Sequence, residues 1–200
     1  MAMPQERAAK PAPATGRHQS ASAEEAALLR RVAGGDRLAF EALYRGYFPR
    51  LTRFLERVLH RPHSVEEVLN DAMLVVWRKA DSFNGQSKVS TWIFSIAYRK
   101  ALKAIKRLDD PIESDDDTSE SPLPGPEGQM MHKQMSGLLW QCIGRMSAEH
   151  RAVIELTYYH GYAYREIAQI MDCPIDTVKT RMFHARRRLK GMLSERTEDL

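Results

Sequence analysis

The sequence is short of the features that mark secreted and membrane proteins. It has only two cysteines in 200 residues, Cys142 and Cys173, which is too few for a disulfide framework. No apolar run approaches the roughly 20 residues of a transmembrane helix. The N-terminal segment, residues 1–22, lacks the hydrophobic core of a secretory signal. We therefore expect a cytoplasmic protein without stable membrane insertion.

Patterns typical of catalysis and of cofactor binding are also missing. The histidines fall in no triad spacing, and there is no glycine-rich phosphate-binding loop. The two thiols could combine with His150 or His160 in a metal site, but no CxxC or HExxH spacing supports one. A small buried thiol is the usual role of such a cysteine. The sequence predicts neither an enzyme nor a metal or cofactor site.

Strand patterns are lacking as well, because no stretch shows sustained alternation of apolar and polar residues between turns. Residues 108–128 contain eight acidic residues and no basic one, together with several prolines, a composition that cannot bury a core. We therefore predict an all-α protein with two helical domains joined by a flexible linker. Its parts are a disordered tail over 1–22, a first domain over 23–108, an acidic, proline-rich linker over 109–133 and a second domain over 134–194.

Apolar residues at helical spacing locate four helices in the first domain. The first runs over 23–32, and the second follows the N-cap Asp36 and continues to about residue 60, with a kink or break at Pro49. A capping box at Ser64 and Glu67 predicts a third helix to about residue 80. The fourth, over 88–108, is basic, and its polar face has no acidic residue. The cations of that face are Lys88, Arg99, Lys100, Lys103, Lys106 and Arg107.

A second basic helix ends the other domain, after helices predicted over 134–146 and, capped by Ser147, up to Tyr159. Residues 164–189 read YREIAQIMDCPIDTVKTRMFHARRRL, which predicts two helices separated by a tight turn at Asp172–Pro174. The last helix has no acidic residue from Lys179 to Lys190 to offset its repulsion. It could be a solvated helix of an ordinary bundle. The charge imbalance favours a recognition helix for the DNA major groove.

Two stretches in this order resemble the extracytoplasmic-function class of bacterial sigma factors. They are VEEVLNDAMLVVWRKADSFNGQSKVSTWIFSIAYRKALKAIKR and MSAEHRAVIELTYYHGYAYREIAQIMDCPIDTVKTRMFHARRRL, and the resemblance covers about residues 24–193. It implies a promoter-melting domain, a linker and a helix-turn-helix domain. Together they would bind core RNA polymerase and direct initiation at particular promoters, in a stress or envelope response. A cognate anti-sigma factor is implied as a further partner.

The resemblance also implies roles for individual residues of the first domain. The helix over 65–77 would dock on the clamp helices of the beta-prime subunit of the polymerase, through the polar positions Glu67, Asn70 and Asp71. The loop and helix that follow correspond to the part that opens the minus-ten element, which needs a pocket for an extruded base and a cationic path for the backbone. Phe83 and Asn84 would form the pocket, and Lys88, Arg99 and Lys103 would line the path.

In the second domain, the resemblance assigns the minus-thirty-five element to the last helix. Lys179, Thr180, Phe183 and His184 would face bases, whereas Arg181 and Arg186 would face phosphates. The alternative function is a self-sufficient helix-turn-helix regulator whose first domain senses a ligand or dimerises. The basic helix over 88–108 argues against it, because a ligand-binding domain has no need of so many unpaired cations on one face.

Overall fold

The computed structural model describes residues 15–109 and 139–197, which are helical apart from short turns and loops. The predicted linker and the first 14 residues of the predicted tail lie outside these ranges. The helices are α1 (Thr15–Ala33), α2 (Arg37–Leu59), α3 (Val65–Lys79), α4 (Val89–Asp109), α5 (residues 139–144 in its described part), α6 (Ala148–Tyr158), α7 (Tyr164–Met171) and α8 (Ile175–Thr197). Short 3-10 turns, Pro62–Ser64 and Ala80–Ser82, flank α3. No strand occurs in the described ranges, in agreement with the predicted all-α fold.

Two predicted N-caps are confirmed. The Asp36 carboxylate accepts a hydrogen bond from the Ala39 amide at 3.0 Å, and the Ser147 hydroxyl accepts one from the His150 amide at 3.4 Å. Each bond satisfies one of the amides that a helix leaves without an internal partner in its first turn. Helix α2 continues through Pro49 without division.

Two local predictions are wrong. The capping box at Ser64 and Glu67 does not form: Ser64 has helical backbone angles because it ends the 3-10 turn, and its hydroxyl caps no amide. Glu67 is instead directed at Arg107, with 3.1 Å between the charged groups. The first helix begins at Thr15, eight residues before its predicted start. The residues before Ala23 are mostly polar or small and lack the apolar spacing on which that prediction relied.

The predicted tight turn lies between α7 and α8. Asp172 ends α7 in the left-handed conformation, with φ 50°, and the Cys173 amide returns to the Ala168 carbonyl at 3.1 Å. Aspartate tolerates this conformation better than most residues other than glycine. Pro174 then precedes α8, and its carbonyl accepts from the Thr177 amide at 3.0 Å. The turn therefore ends α7 and sets the start of α8.

The two parts of the chain pack against each other, α6 on α2 and α7 on α4. Arg151 of α6 joins them. Its guanidinium donates to the Val58 carbonyl near the end of α2 at 2.6 Å, and to the carbonyls of Gly144 and Met146 in its own domain. Val58 and Arg151 are 93 residues apart in the sequence. None of the helices in the described ranges is long and apolar enough to cross a bilayer.

Candidate nucleic-acid interface

Helix α8 carries an exposed aromatic side chain, Phe183, among cationic residues. Thr180, Phe183, His184 and Arg187 recur at helical spacing and are all exposed, and Phe183 is 62% exposed. The Phe183 and His184 rings lie 5.5 Å apart. The opposite face, with Val178, Met182 and Ala185, is buried in the domain. An exposed aromatic ring between polar groups can contact a thymine methyl in the major groove.

Three other cations of α8 make different contacts. Lys179 lies 2.9 Å from the carboxylate of Asp176, one turn earlier in the helix, so it does have an acidic partner. Arg186 donates from Nε to the Tyr158 hydroxyl at 2.9 Å. Arg181 is half-buried, with Nη1 3.6 Å from the Cys173 sulfur, and so lies off the exposed face. Tyr158 was not among the predicted site residues, although an exposed aromatic residue at the end of α6 could have drawn attention.

The basic face of α4 is partly neutralised, contrary to the prediction that its cations are unpaired. Three of the predicted cations meet carboxylates of other helices: Lys88, which directly precedes α4, with Glu166 at 2.8 Å, Lys100 with Asp71 at 3.0 Å, and Arg107 with Glu67 at 3.1 Å. The sequence of α4 alone could not reveal these partners, since they lie on α3 and α7. Arg99 and Lys103 are exposed on α4, and Arg99 also donates to the Ser95 hydroxyl at 3.4 Å.

The loop before α4 places one aromatic and one polar residue beside Lys88. Phe83 is half-buried, with its ring centroid 5.5 Å from that of Trp92. Asn84 is exposed, and its side-chain oxygen accepts from the Gln86 amide at 3.0 Å. This bond closes a local turn around Gly85, which has φ 74°. The predicted base-pocket residues thus lie together in one ordered loop.

A second surface surrounds the residues predicted to contact polymerase. Glu67, Asn70 and Asp71 lie exposed on α3, and the Asn70 side-chain oxygen accepts from the Tyr44 hydroxyl of α2 at 2.8 Å. Leu74, 44% exposed, and Phe48, 42% exposed, are apolar residues of the same two helices. Apolar groups bordered by polar ones are typical of a protein interface. Phe48 and Leu74 were not predicted as interface residues, because periodicity alone does not tell an interface residue from a core residue.

Aromatic and ionisable groups fill the contact between the domains. The His160 ring meets Phe94 of α4 at 4.8 Å and Phe54 of α2 at 6.1 Å, while Arg50 lies 3.5 Å from the Tyr162 hydroxyl. Burial, with the nearby charges of Arg50 and Arg53, lowers the pKa of His160 to about 4. Burial raises the pKa of its neighbour Glu155 to about 7. The 3.8 Å approach between them is therefore a contact of two largely neutral groups near pH 6.

The two cysteines do not lie in a metal-binding cluster. Over the ranges 15–109 and 139–197 no group of three or more potential metal ligands is found. Cys142 is buried and Cys173 half-buried, both as free thiols.

Comparison with known proteins matches both parts of the chain. The family model for Sigma-70 region 2 matches residues 43–110, and that for Sigma-70, region 4 matches residues 136–189. The ECF RNA polymerase sigma-E factor of Escherichia coli K12 is 31% identical over 80% of this chain and 88% of its own length. That of Haemophilus influenzae is 29% identical over 84% and 94%. The sigma factor RpoE of Bartonella quintana, solved with the anti-sigma factor NepR, superposes with a TM-score of 0.63 at 24% identity, over 78% of this chain and 96% of that one.

Proposed function

Because the chain belongs to the sigma-70 family of RNA polymerase sigma factors, in its extracytoplasmic-function class, we propose residues for each step of its action. As a sigma factor it binds core polymerase and directs initiation at particular promoters. The proposal is that α3 docks on the beta-prime clamp helices, that the loop over 83–88 and α4 open the minus-ten element, and that α8 reads the minus-thirty-five element. The family favours this function over a self-sufficient regulator.

The observation that carries the proposal for DNA is the exposure of Phe183 on α8. An aromatic ring that is 62% exposed costs free energy in water, since apolar area stays hydrated. Its neighbours Thr180 and His184 can exchange hydrogen bonds with base edges, and the ring can cover a thymine methyl. Arg187 on the same face and Arg186 beside it suit phosphates, which set the register of a helix in the groove.

The docking proposal is supported by the mixed character of the α2–α3 surface. Asn70 and Asp71 offer polar groups beside the exposed apolar Phe48 and Leu74. We further propose that the protein acts in the cytoplasm, where core polymerase is found, and that it contributes no catalytic group of its own. A cognate anti-sigma factor is proposed as its inhibitor, because this class is usually controlled in that way.

Replacing the polar docking residues tests the proposal. In Asn70→Ala with Asp71→Ala, core polymerase binding is expected to weaken about tenfold, the effect of removing an interface contact worth 1–2 kcal/mol. Both side chains are exposed, so the free energy of unfolding should change by less than about 1 kcal/mol. The measurements are fluorescence anisotropy with core polymerase and run-off transcription from selected genomic promoters.

Glu66→Ala is the matched control, since it removes an exposed acidic group from the same helix at a different angle. It should leave polymerase binding and transcription unchanged. Parent-like binding by the double variant would place the docking face elsewhere. Absence of transcription by the parent with any promoter would reject the proposed function itself.

A further inference from the structure

We infer that Tyr158, at the end of α6, is a further DNA-contacting residue, which forms with Arg186 of α8 a clamp for one backbone phosphate beside the minus-thirty-five element. This pair is called the phosphate clamp below. The inference rests on the proposed function and deepens it, because it adds a residue outside α8 to the surface proposed to bind that element.

The two side chains of the phosphate clamp meet on the outside of the second domain, where α8 packs on α6. The Arg186 Nε group donates to the Tyr158 hydroxyl at 2.9 Å, and the centre of the guanidinium lies 5.7 Å from the centroid of the Tyr158 ring. Both residues are exposed, Tyr158 to 58%. A hydrogen bond between exposed groups contributes little to the free energy of unfolding, because water can replace either partner. Stability of the fold therefore does not explain the pair.

The bond between them leaves the donors that recognise a phosphate unused. A guanidinium has five N–H donors, and the bond from Nε to Tyr158 occupies one of them. Among the ion pairs within residues 15–109 and 139–197, none includes Arg186. The Nη1 and Nη2 groups can therefore donate side by side to two phosphate oxygens. The Tyr158 hydroxyl accepts from Arg186 and keeps its own hydrogen, so it can donate to the same phosphate.

Arg186 lies at the edge of the α8 surface that is proposed to read bases. An α-helix turns about 100° per residue, which places Arg186 about 60° around α8 from the exposed Phe183 and about 40° from the buried Met182. Phosphates line the walls of the major groove, so a helix in the groove meets them with residues at the edges of its exposed face. Tyr158 extends this edge from α8 onto α6.

The Tyr158 hydroxyl also holds the arginine in a defined direction. An arginine that is already held through its Nε group loses less conformational freedom when its Nη groups meet a phosphate. Phenylalanine at position 158 keeps the ring but removes both the acceptor for Nε and the donor for the phosphate. Tyr158→Phe therefore separates the phosphate clamp from the packing of the ring.

The first experiment measures promoter binding by the full chain with core polymerase at fixed salt. Tyr158→Phe should weaken the promoter complex about fivefold, the effect of losing a hydrogen bond to a charged group. It should not change the minus-thirty-five sequence selected from a randomised element, because phosphate contacts carry no base preference. Arg186→Lys keeps the charge but removes the planar donor pair, and it should weaken the complex as well. The loss in the double variant should be smaller than the product of the two single losses, because both residues act on one phosphate.

Tyr159→Phe is the matched control. Tyr159 is also exposed, to 45%, and its ring centroid lies 5.2 Å from that of Trp140. Removal of its hydroxyl should leave promoter binding parent-like. Thermal unfolding midpoints of both tyrosine variants should lie within about 2 °C of that of the parent, which distinguishes a DNA contact from a role in stability.

A second experiment locates the phosphate. A methylphosphonate, in which a methyl group replaces one charged phosphate oxygen, is introduced at one position of the minus-thirty-five element at a time, on either strand. One position should weaken the parent's promoter complex through loss of the phosphate clamp. The same position should have an effect at least three times smaller on Tyr158→Phe and on Arg186→Lys. A residue that acts only through the fold would not single out one phosphate.

The outcomes distinguish the inference from the proposed function. If the parent forms promoter complexes but Tyr158→Phe binds DNA like the parent, or responds like the parent to every methylphosphonate, the inference fails and the proposed function stands. A double variant whose loss equals the product of the single losses would overturn the inference too, since the two residues would then act independently. If the parent forms no promoter complex with core polymerase, the proposed function is rejected, and the inference with it.

Discussion

At the scale of single residues, we propose His184 as the position where side-chain chemistry most directly sets promoter choice. It is exposed on α8 beside Phe183. A neutral imidazole offers one donor and one acceptor, whereas a guanidinium offers a fork that matches the guanine edge. On this proposal, residue 184 determines which base pair α8 prefers rather than how strongly the helix binds DNA in general.

We predict that His184→Arg shifts the selected minus-thirty-five sequence toward guanine opposite that residue, by about 1–3 kcal/mol of discrimination. The measurement is promoter selection from a randomised element with core polymerase at fixed salt. Arg186→Ala is the control: loss of a phosphate contact should weaken all sequences alike and lower the salt slope by about one. An identical selected motif for His184→Arg and the parent would show that residue 184 does not face bases.

At the scale of helices, two glycines test how closely elements approach. Gly46 lies within α2 with no other atom near the place of a Cβ, whereas a Cβ on Gly144, at the end of α5, would come within 2.4 Å of the His60 Nε2. His60 ends α2 in the left-handed conformation, with φ 55°, and its ring must move to admit a methyl group at residue 144. Replacing glycine by alanine in a helix reduces the conformational entropy that the backbone loses on folding. It stabilises the protein only where the added methyl group fits.

Gly46→Ala is therefore expected to stabilise the protein by about 0.5–1 kcal/mol. Gly144→Ala should destabilise it by about 1–3 kcal/mol, because the His60 ring must move. Urea unfolding of the two variants and the parent measures both. Equal stabilisation by the two substitutions would mean that His60 gives way without cost.

The helices also show which parts of the fold could be predicted from the sequence and which could not. Local chemistry sets the starts of α2 and α6, at the N-caps Asp36 and Ser147, and the turn before α8, at Pro174. These features could therefore be predicted from the sequence. The capping box at Ser64 failed because a neighbouring proline turn changed the backbone angles of that serine. The acidic partners of α4 could not be foreseen, since they depend on which helices pack against it rather than on the spacing of residues within it.

At the scale of the whole molecule, the buried pair at the domain contact determines the response to pH. Glu155, with a pKa raised to about 7, contributes stability that is complete below its ordinary value of 4.5 and is lost as pH rises toward 7. His160, with a pKa lowered to about 4, contributes stability that is complete above 6.5 and is lost as pH falls toward 4. Between about pH 4.5 and 6.5 the two effects oppose each other. The charged groups facing this pair are Arg50, Arg53 and Arg57 of α2.

Glu155→Gln should separate the two effects. We expect it to be about 2 kcal/mol more stable than the parent at pH 8, where the parent buries a charge, and less than about 1 kcal/mol more stable at pH 5. Urea unfolding at several pH values measures the difference. Glu149→Gln of the same helix should behave oppositely: burial opposes ionisation of Glu149, but bonds from its own amide and from Ser147 outweigh it and lower the pKa. An advantage of Glu155→Gln that does not vary with pH would contradict this account.

The ion pairs between α3 and α4 connect the surface proposed to bind polymerase with the helix proposed to bind DNA. The carboxylates of Glu67 and Asp71, proposed to face polymerase, already hold Arg107 and Lys100 on the helix proposed to meet DNA. A polymerase group that captures either acid leaves a cation without its counter-ion, and a phosphate can take that place. Binding of the two large partners is then an exchange of counter-ions across a single helix pair. By reciprocity, whatever polymerase adds to the affinity for DNA, DNA must add to the affinity for polymerase.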